Sequence, residues 1–445
     1  MEANKKAIWG WAIYDWANSV YVTTVVAGFF PVFFKEFWSA DANVNVSTAQ
    51  LGFANSIASL LVAIMAPVLG AIADKGSARK KFLIFFAYLG VLMAAGLFLI
   101  QEGRWGMAIF VYVMGIIGFS GANVFYDSLL PSVAGEDNID RISSLGFSLG
   151  YLGGGILLLI NVMMVKFPPA FGLLDAGEAV RYSFLTVAVW WGLFTVITIF
   201  WLPEAKVSAH SKTAGNYVVA GFKQLANTFK KIRHLKMVFL VLLAYWLYID
   251  GVDTIIRMAV DYGLSLGFDS NDLIAALLIV QFVGFPAALV YGVLGERWGA
   301  RKSIYLAIGI YMLITIGGTM MTQKYHFYIL AVAIALVQGG IQALSRSYYS
   351  RFIPKGQAAE YYGFYNMLGK FAVIFGPILM GVVGLIARRI LMPPSPTPEQ
   401  VTAVGQLAAR WSIASILILF LLGAILFYFV DEEKGKKQAA LLSAE

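Results

Sequence analysis

Four charged residues interrupt an apolar run in the second half of the chain. They are Asp250, Asp253, Arg257 and Asp261, spaced three, four and four residues apart. At about 100° per residue, this spacing places them on one face of a helix. Carboxylates at such positions can exchange protons or bind a cationic group, so this face is a candidate relay for protons or for a solute. Alternatively, Asp253 and Arg257 form an internal ion pair that fixes helix packing.

Isolated polar side chains also occur within three other apolar runs. They are Asp15 and Asn18 in the first run, Gln338, Gln342 and Arg346 in the tenth, and Lys370 in the eleventh. A charged side chain costs at least ~2.5 kcal/mol at the centre of a bilayer, so each must face protein or water. Lys370 lies well inside its run and requires a partner, for which Asp250 and Asp253 are the candidates. The alternatives are a packing hydrogen bond near the membrane surface for Asp15 and snorkelling to that surface for Arg346.

A short charged loop separates the second and third apolar runs and recurs in the second half of the chain. The first copy is Gly70, Asp74, Arg79 and Lys80, and the second, with the same internal spacing, is Gly292, Glu296, Arg301 and Lys302. Glycine lets two helices approach closely, and the acid can bond to backbone amides or to the arginine. A stop-transfer charge cluster explains one copy but not two at matched spacing. A repeat at half the chain length indicates two similar halves.

Composition and hydropathy define the elements that must position these residues. The chain of 445 residues is 60% apolar and 13% charged, with a mean hydropathy of +0.75, and it contains twelve apolar runs of roughly membrane-spanning length. We therefore expect an all-α membrane protein with 12 transmembrane helices in two six-helix halves. Lys and Arg concentrate in alternate loops, which predicts that both termini are cytoplasmic. The net charge of +8 resides in these loops, so it indicates topology and not nucleic-acid binding.

The predicted organisation has four parts. Residues 1–202 form the N-terminal six-helix half and residues 237–430 form the C-terminal half. Between them, residues 203–236 form a cytoplasmic linker in which apolar residues recur every three or four positions from Val218 to Ile232, as in an amphipathic helix on the membrane surface. Residues 431–445 form a polar cytoplasmic tail, which we expect to be frayed.

The charged loop resembles a known signature. Its pattern of Gly70, Asp74, Arg79 and Lys80 is similar to the loop between spans two and three of the major facilitator superfamily, and the copy at Gly292 is similar to the weaker one between spans eight and nine. The resemblance implies the major facilitator fold, with a central site near the midplane between the halves. It also implies a charge relay between Asp127, at the end of the fourth run, and the signature loop near Arg79. In that role Asp127 gates the outward-open state and is not a substrate ligand.

Four further motifs narrow the resemblance. Tyr14–Ser19, Tyr248–Ile256, Gly339–Ser347 and Gly363–Pro377 resemble the "unknown major facilitator" family, whose prokaryotic branch groups with the autophagy-related vacuolar amino-acid effluxers of yeast. The fungal relatives are implicated in exporting leucine and other neutral amino acids. Amino-acid transport is therefore what the resemblance implies.

The predicted function is secondary active transport of a small solute, with a neutral amino acid as the best candidate, by alternating access and coupled to protons through Asp250 or Asp253. The alternatives are a lipid or lysolipid transporter on the same fold and a transporter-like membrane sensor. We expect no enzyme activity, because the sequence has no Ser/His/Asp set, no metal-ligand spacing and no cysteine. We also expect no cofactor and no metal. The expected partners are the small-molecule substrate, protons and membrane lipid, with no nucleic acid, for a monomer in the cell's plasma or inner membrane.

Overall fold

The backbone of the described residues is almost entirely helical. The computed structural model describes residues 5–39, 44–76, 78–203, 223, 226–228, 235–265, 270–395 and 397–444. Among these residues there is no β-strand. Long apolar runs adopt helices because a helix satisfies its own backbone hydrogen bonds, which lipid cannot do.

Thirteen helices account for most of the described residues. The first six are α1 (Lys5–Trp38), α2 (Val44–Gly76), α3 (Arg79–Leu99), α4 (Trp105–Val133), α5 (Ile139–Lys166) and α6 (Ala176–Trp201). The others are α7 (Lys236–Ser265), α8 (Ser270–Trp298), α9 (Ala300–Thr319), α10 (Lys324–Ser350), α11 (Ala358–Leu391), α12 (Pro398–Tyr428) and α13 (Glu432–Ala444). Within α1, the segment Tyr21–Phe29 is wound as a π-helix.

Length and hydropathy confirm the predicted membrane fold. Eleven of the described helices are long and apolar enough to cross a membrane, namely α1 to α10 and α12. α11 is a further continuous helix of 34 residues. At 1.5 Å per residue, α11 is about 51 Å long and exceeds the thickness of a bilayer.

Buried apolar side chains form two separate cores. One core contains residues between Ala7 and Leu202, together with Ala359, and the other contains residues between Leu235 and Val430. We call α1–α6 the N-half and α7–α12 the C-half. The halves meet mainly where α2 packs on α11, α5 on α8 and α10, and α4 on α11.

Each copy of the charged loop begins where two helices from different halves cross. A Cβ atom on Gly70 would contact the backbone of Ala359 in α11, and one on Gly292 would lie 2.8 Å from the Cβ of Ser144 in α5. The two glycines therefore have matching structural roles, because each allows a helix of one half to approach a helix of the other. We call the end of the bundle that carries these loops the signature-loop end.

Two predicted segments have different outcomes. The linker helix lies outside the described residues, apart from Lys223 and residues 226–228, which are helical. The prediction of a frayed tail is wrong, because α13 is a helix that begins at Glu432 and packs on the C-half. Gly435 lies so close to the ring of Phe352 that a Cβ atom there would overlap it, and the Asp431 amide donates to the sulfur of Met237 at 3.3 Å.

Arg351, just beyond α10, connects this tail helix to the N-half. Its guanidinium contacts Asp140 of α5 at 2.7 Å and Glu432 of α13 at 3.0 Å. Burial raises the pKa of Glu432, but the bond to Lys436 and the charge of Arg351 more than offset this, so the pKa lies below its ordinary value. Because the folded-state pKa is the lower one, this stabilisation is present at neutral pH and is lost as the pH falls through that pKa.

Glu432→Gln should therefore loosen the tail helix. We expect backbone amides of α13 to exchange with solvent about two- to fivefold faster, the range for a partly exposed ion pair. Hydrogen-exchange mass spectrometry at neutral pH measures this rate. Glu433→Gln is the matched control, because the Glu433 side chain is 77% exposed and lies 3.6 Å from Lys436 on its own helix. Equal exchange in the two variants would contradict the role given to Arg351.

Candidate functional site

The first charged loop joins the halves through Asp74. Its carboxylate bonds Arg79 at 2.7 Å within the N-half. It also accepts the backbone N–H groups of Ala359 and Glu360 at 3.1 and 2.9 Å. These amides belong to the first turn of α11, where N–H groups have no partner within the helix. Asp74 therefore caps a helix of the opposite half.

The second charged loop does not reproduce this arrangement. Glu296 is exposed, and Arg301 donates to the backbone carbonyl of Tyr428 in α12 at 2.7 Å. Within the described part of the chain, no ion pair joins Glu296 to Arg301, and Lys80 of the first loop is partly exposed. The two copies of the loop therefore share a close helix crossing at the glycine. The acid of the second copy does not form the contacts that the acid of the first copy forms.

Arg346 of α10 is the centre of a buried charge cluster between the halves. It is 3% exposed, and its Nη1 lies 3.1 Å from Asp127 of α4 and 3.7 Å from Asp15 of α1. The other nitrogens donate to Ser143 of α5, at 3.0 Å to its hydroxyl and 2.8 Å to its carbonyl oxygen. All these partners belong to the N-half. One guanidinium thus serves two carboxylates and ties α10 to three helices of the other half.

Aromatic rings surround the same guanidinium. Its central carbon lies 4.8 Å from the ring centroid of Trp11, 5.3 Å from that of Tyr126 and 4.5 Å from that of Phe147. The Tyr126 hydroxyl donates to Asp15 at 2.9 Å. These rings supply cation–π attraction in place of water, so the arginine remains charged while buried.

Two sequence interpretations are corrected by this geometry. Arg346 does not snorkel to the membrane surface, because its guanidinium is buried among carboxylates and rings. Asp127 bonds Arg346 and also accepts from Asn366 of α11 at 3.0 Å. Arg79 instead bonds Asp74 and reaches the backbone carbonyl of Ser128 at 3.4 Å, so the predicted relay between Asp127 and Arg79 is not formed. Asp127 faces α10 and the centre of the bundle, and not the loop.

A central cavity of about 320 Å³ lies beside this cluster, and we call it the polar chamber. The charged and amide side chains that line it are Asp15, Asn18, Asn123, Asp127, Gln281, Gln338, Gln342, Arg346 and Asn366. Asn18 donates to Asn123 at 2.6 Å. Five of the predicted cavity residues, Asp15, Asn18, Gln338, Gln342 and Arg346, therefore lie together. Asp127 also lines the polar chamber, although the resemblance implied that it is not a substrate ligand.

The described acids of α7 do not belong to the polar chamber. Neither Asp250 nor Asp253 lines the polar chamber. Asp250 is 1% exposed and turns towards α11, where its Oδ1 accepts the Gly376 amide at 3.0 Å and the Thr254 hydroxyl at 3.3 Å. Gly376 has no side chain, which lets α7 and α11 approach closely enough for this contact. The side chains of Arg257, Asp261 and Lys370 lie outside the described residues.

Asp250 has one carboxylate oxygen without a partner. Its Oδ2 is buried and has no hydrogen bond within the described residues. A buried polar atom without a hydrogen bond is costly, so the described residues leave this oxygen available for a further partner.

The family of the chain is shown by its residues 43–387. They match the protein family described as "Vacuole effluxer Atg22 like". The chain belongs to this family.

Two relatives are similar to this chain over nearly its whole length. The MFS-type transporter YxiO of Bacillus subtilis (strain 168) is 39% identical over 426 residues, which is 95% of this chain and 94% of that protein. Autophagy-related protein 22-1 of Penicillium rubens is 25% identical over 582 aligned positions, covering 99% of this chain and 92% of that protein. The chain is therefore an MFS-type transporter and a multi-pass membrane protein of the Atg22-like family.

Solved structures support the same fold. The proton:xylose symporter XylE has a TM-score of 0.69 at 16% identity and covers 99% of this chain and 98% of its own. The human organic anion transporter MFSD10 has a TM-score of 0.68 at 13% identity and covers 95% of this chain and 99% of its own. At these identities the likeness concerns the fold alone.

Several lining residues of this Atg22-like protein were not predicted from the sequence, and three of them illustrate why. These three are Gln281 in α8, Asn366 in α11 and Tyr151 in α5. Gln281 and Asn366 are single amides inside apolar runs, and this pattern would have identified them as candidates. Tyr151 has no such signal, because tyrosine is common in membrane helices for packing alone.

Proposed function

We propose that the protein transports a small neutral amino acid by alternating access, driven by protons. The observation that carries the proposal is the polar chamber, in which two carboxylates share one arginine between the halves. With both acids ionised, Asp15, Asp127 and Arg346 carry one net negative charge. The ammonium group of an amino acid would balance that charge, and the amides of Asn18 and Gln342 would serve its carboxylate.

The bonds between the halves support alternating access. From the polar chamber to the signature-loop end, the halves are joined by Arg346 to Asp127, by Asp74 to α11 and by Arg351 to Asp140. All three ties must break before the polar chamber can open at that end. We take that end as cytoplasmic because the basic loops predict it, so in the proposed cycle this conformation is closed to the cytoplasm.

Asp250 is the proposed site of proton coupling. Its Oδ2, which has no hydrogen-bond partner within the described residues, is the proposed proton acceptor while the signature-loop end is closed. The hydrogen bond to Gly376 joins α7 to α11, two helices that flank the chamber, so separation of these helices would expose the acid to water. The proton would then leave, and the same helix movement would open the path of the solute.

Asp250→Asn should uncouple transport from the proton gradient. Asparagine preserves the shape of the acid and can accept the Gly376 amide, but it cannot release a proton. In proteoliposomes with an inward proton gradient, we expect accumulation of labelled leucine to fall at least about tenfold, while leucine exchange across the membrane is retained. Exchange needs no net proton movement.

The matched control is Asp175→Asn. Asp175 caps α6 at an exposed position through a 2.8 Å bond to the Glu178 amide, and asparagine is an equally good cap. Accumulation by Asp250→Asn at the level of this control would remove Asp250 from the coupling path. Folded wild-type protein that moves no leucine in either orientation would contradict the proposed substrate.

A further inference from the structure

A second cavity, of about 200 Å³, adjoins the polar chamber and has a different chemistry. We call it the apolar chamber; α7 to α12 form most of its wall, with α1 and α5 on the N-half side. Its polar lining residues are Thr23, Gln281, Thr315 and Gln338, and no charged residue of the described chain lines it. The hydroxyls of Thr23 and Thr315 bond to carbonyls of their own helices, Ser19 at 3.1 Å and Tyr311 at 2.8 Å. The chamber therefore offers a solute apolar surface almost throughout.

The two chambers meet at a neck. Val22, Thr23, Gln281 and Gln338 line both cavities. They come from α1, α8 and α10, so the neck lies between the halves and not inside one of them. α1 is wound as a π-helix over Tyr21–Phe29, and this segment contributes Val22 and Thr23 to the neck. Irregular winding of this type is frequent at functional sites.

Gln338 has an unused acceptor at this neck. Its Oε1 is buried and has no hydrogen-bond partner within the described residues. A buried amide oxygen without a partner is costly, and a solute N–H group at the neck would satisfy it. The position also fixes the register of a bound solute, because an ammonium group in the polar chamber that donates to Gln338 leaves its apolar chain to enter the apolar chamber.

The size of the apolar chamber suits a side chain. An apolar cavity of about 150 Å³ is already large enough to bind benzene. Left empty, a cavity of this kind weakens the fold because its walls lose packing contacts. Leu158, Met321 and Ile416 are at most 3% exposed, so this part of the chamber wall is buried.

We propose that the apolar chamber binds the side chain of the transported solute while the polar chamber binds its charged head group. This inference rests on the proposed function for the head group but adds a selective site. The solute class is an amphipathic amine with an apolar chain of about four to six carbons or one aromatic ring. Gln281 and Gln338 mark the boundary between head group and chain.

The test is a chain-length series measured by binding. Two series of probes are titrated into purified protein, straight-chain 2-amino acids from alanine upwards and primary n-alkylamines of matching length, with the thermal unfolding midpoint as readout. We expect apparent affinity to rise about fourfold with each added methylene until the chamber is full, and then to stop rising. Ala331→Leu fills the chamber from α10, and Ala276→Leu fills it independently from α8. Each should flatten the gain for the longer chains.

Ala333→Leu is the matched control. Ala333 is two residues from Ala331 on α10 and does not line the chamber, so its chain-length profile should equal that of the wild type. A gain that persists in both filling variants would overturn the inference, as would affinity that keeps rising beyond eight carbons, because the chamber would then open to lipid. Absence of binding in both series overturns it too.

The outcomes separate this inference from the proposed function. Alkylamines that bind with the expected profile, beside amino acids that do not bind, would support the two chambers and reject the amino-acid proposal. Amino acids that are transported with no dependence on chain length would support the amino-acid proposal and reject the two chambers.

Discussion

Arg346→Met should abolish transport and shift the protein towards opening at the signature-loop end. The substitution keeps much of the side-chain volume but removes the one cation that pairs with Asp15 and Asp127 among the described residues, in a buried site. Removing one partner of a buried ion pair costs about 3 to 5 kcal/mol, which corresponds to a factor of more than 100 in an equilibrium. We expect uptake to fall at least about a hundredfold.

Two variants separate the charge of Arg346 from its geometry. Arg346→Lys retains the charge but loses the planar fork that reaches Asp127 and Ser143 together, so partial activity is expected. The double variant of Arg346→Met with Asp127→Asn removes one of the two carboxylates that lost the arginine. We expect it to recover stability without recovering transport. Uptake by Arg346→Met at wild-type rates would exclude the cluster from the transport cycle.

The chain contains no cysteine, which provides a direct measure of opening. A single cysteine introduced at Ser128, beside the carbonyl that Arg79 approaches, should react slowly with a water-soluble maleimide in the wild type. The same cysteine in the Arg346→Met background should react at least about tenfold faster. Equal labelling rates would show that the cluster does not hold the halves together.

Gly70→Ala should block closure of the halves. A single added Cβ would overlap the backbone of Ala359 and lie 2.9 Å from the Cα of Glu360. Backbone atoms cannot rotate away as a side chain can, so α2 and α11 would have to separate. Overpacking of this kind costs about 1 to 3 kcal/mol, and we expect transport to fall roughly tenfold to a hundredfold.

Gly309→Ala is the matched control for this prediction. Gly309 lies inside α9, and a Cβ atom there has no neighbour within 4 Å, so alanine should leave transport unchanged. Uptake rates of the two variants in proteoliposomes, normalised to inserted protein, make the comparison. Similar rates in both would mean that the crossing of α2 and α11 need not be tight during transport.

Much of the arrangement could be predicted from spacing along single helices. Gln338, Gln342 and Arg346 recur every four residues, and this fixed the face of α10 that lines the polar chamber. The repeated loop indicated two halves, and its glycines do lie at matching helix crossings. The spacing of residues along one helix shows which of them share a face, and this can be read without knowing how the neighbouring helices pack.

The contacts that sequence could not predict depend on the rotation of one helix relative to another. The acids of α7 share a face, but nothing in their spacing says that this face turns to α11 and brings Asp250 to Gly376. Likewise, Asp127 is near Arg79 along the expected topology, whereas its carboxylate points across the halves to Arg346. Such pairings require the packing of all neighbouring helices at once.

The contacts that join the halves differ in which carboxylates lose their cationic partner when the contact breaks. Asp74 keeps Arg79, a partner in its own half, so release of α11 costs only the hydrogen bonds to Ala359 and Glu360, roughly 1.5 to 3 kcal/mol each. Among the described residues, Asp15 and Asp127 have no other cation to pair with when Arg346 withdraws. A bound ammonium group could replace the lost charge, so the loaded carrier would open more readily than the empty one. On the proposed function, we therefore expect the loop contact to break and form readily, whereas opening at the Arg346 cluster would depend on a bound solute.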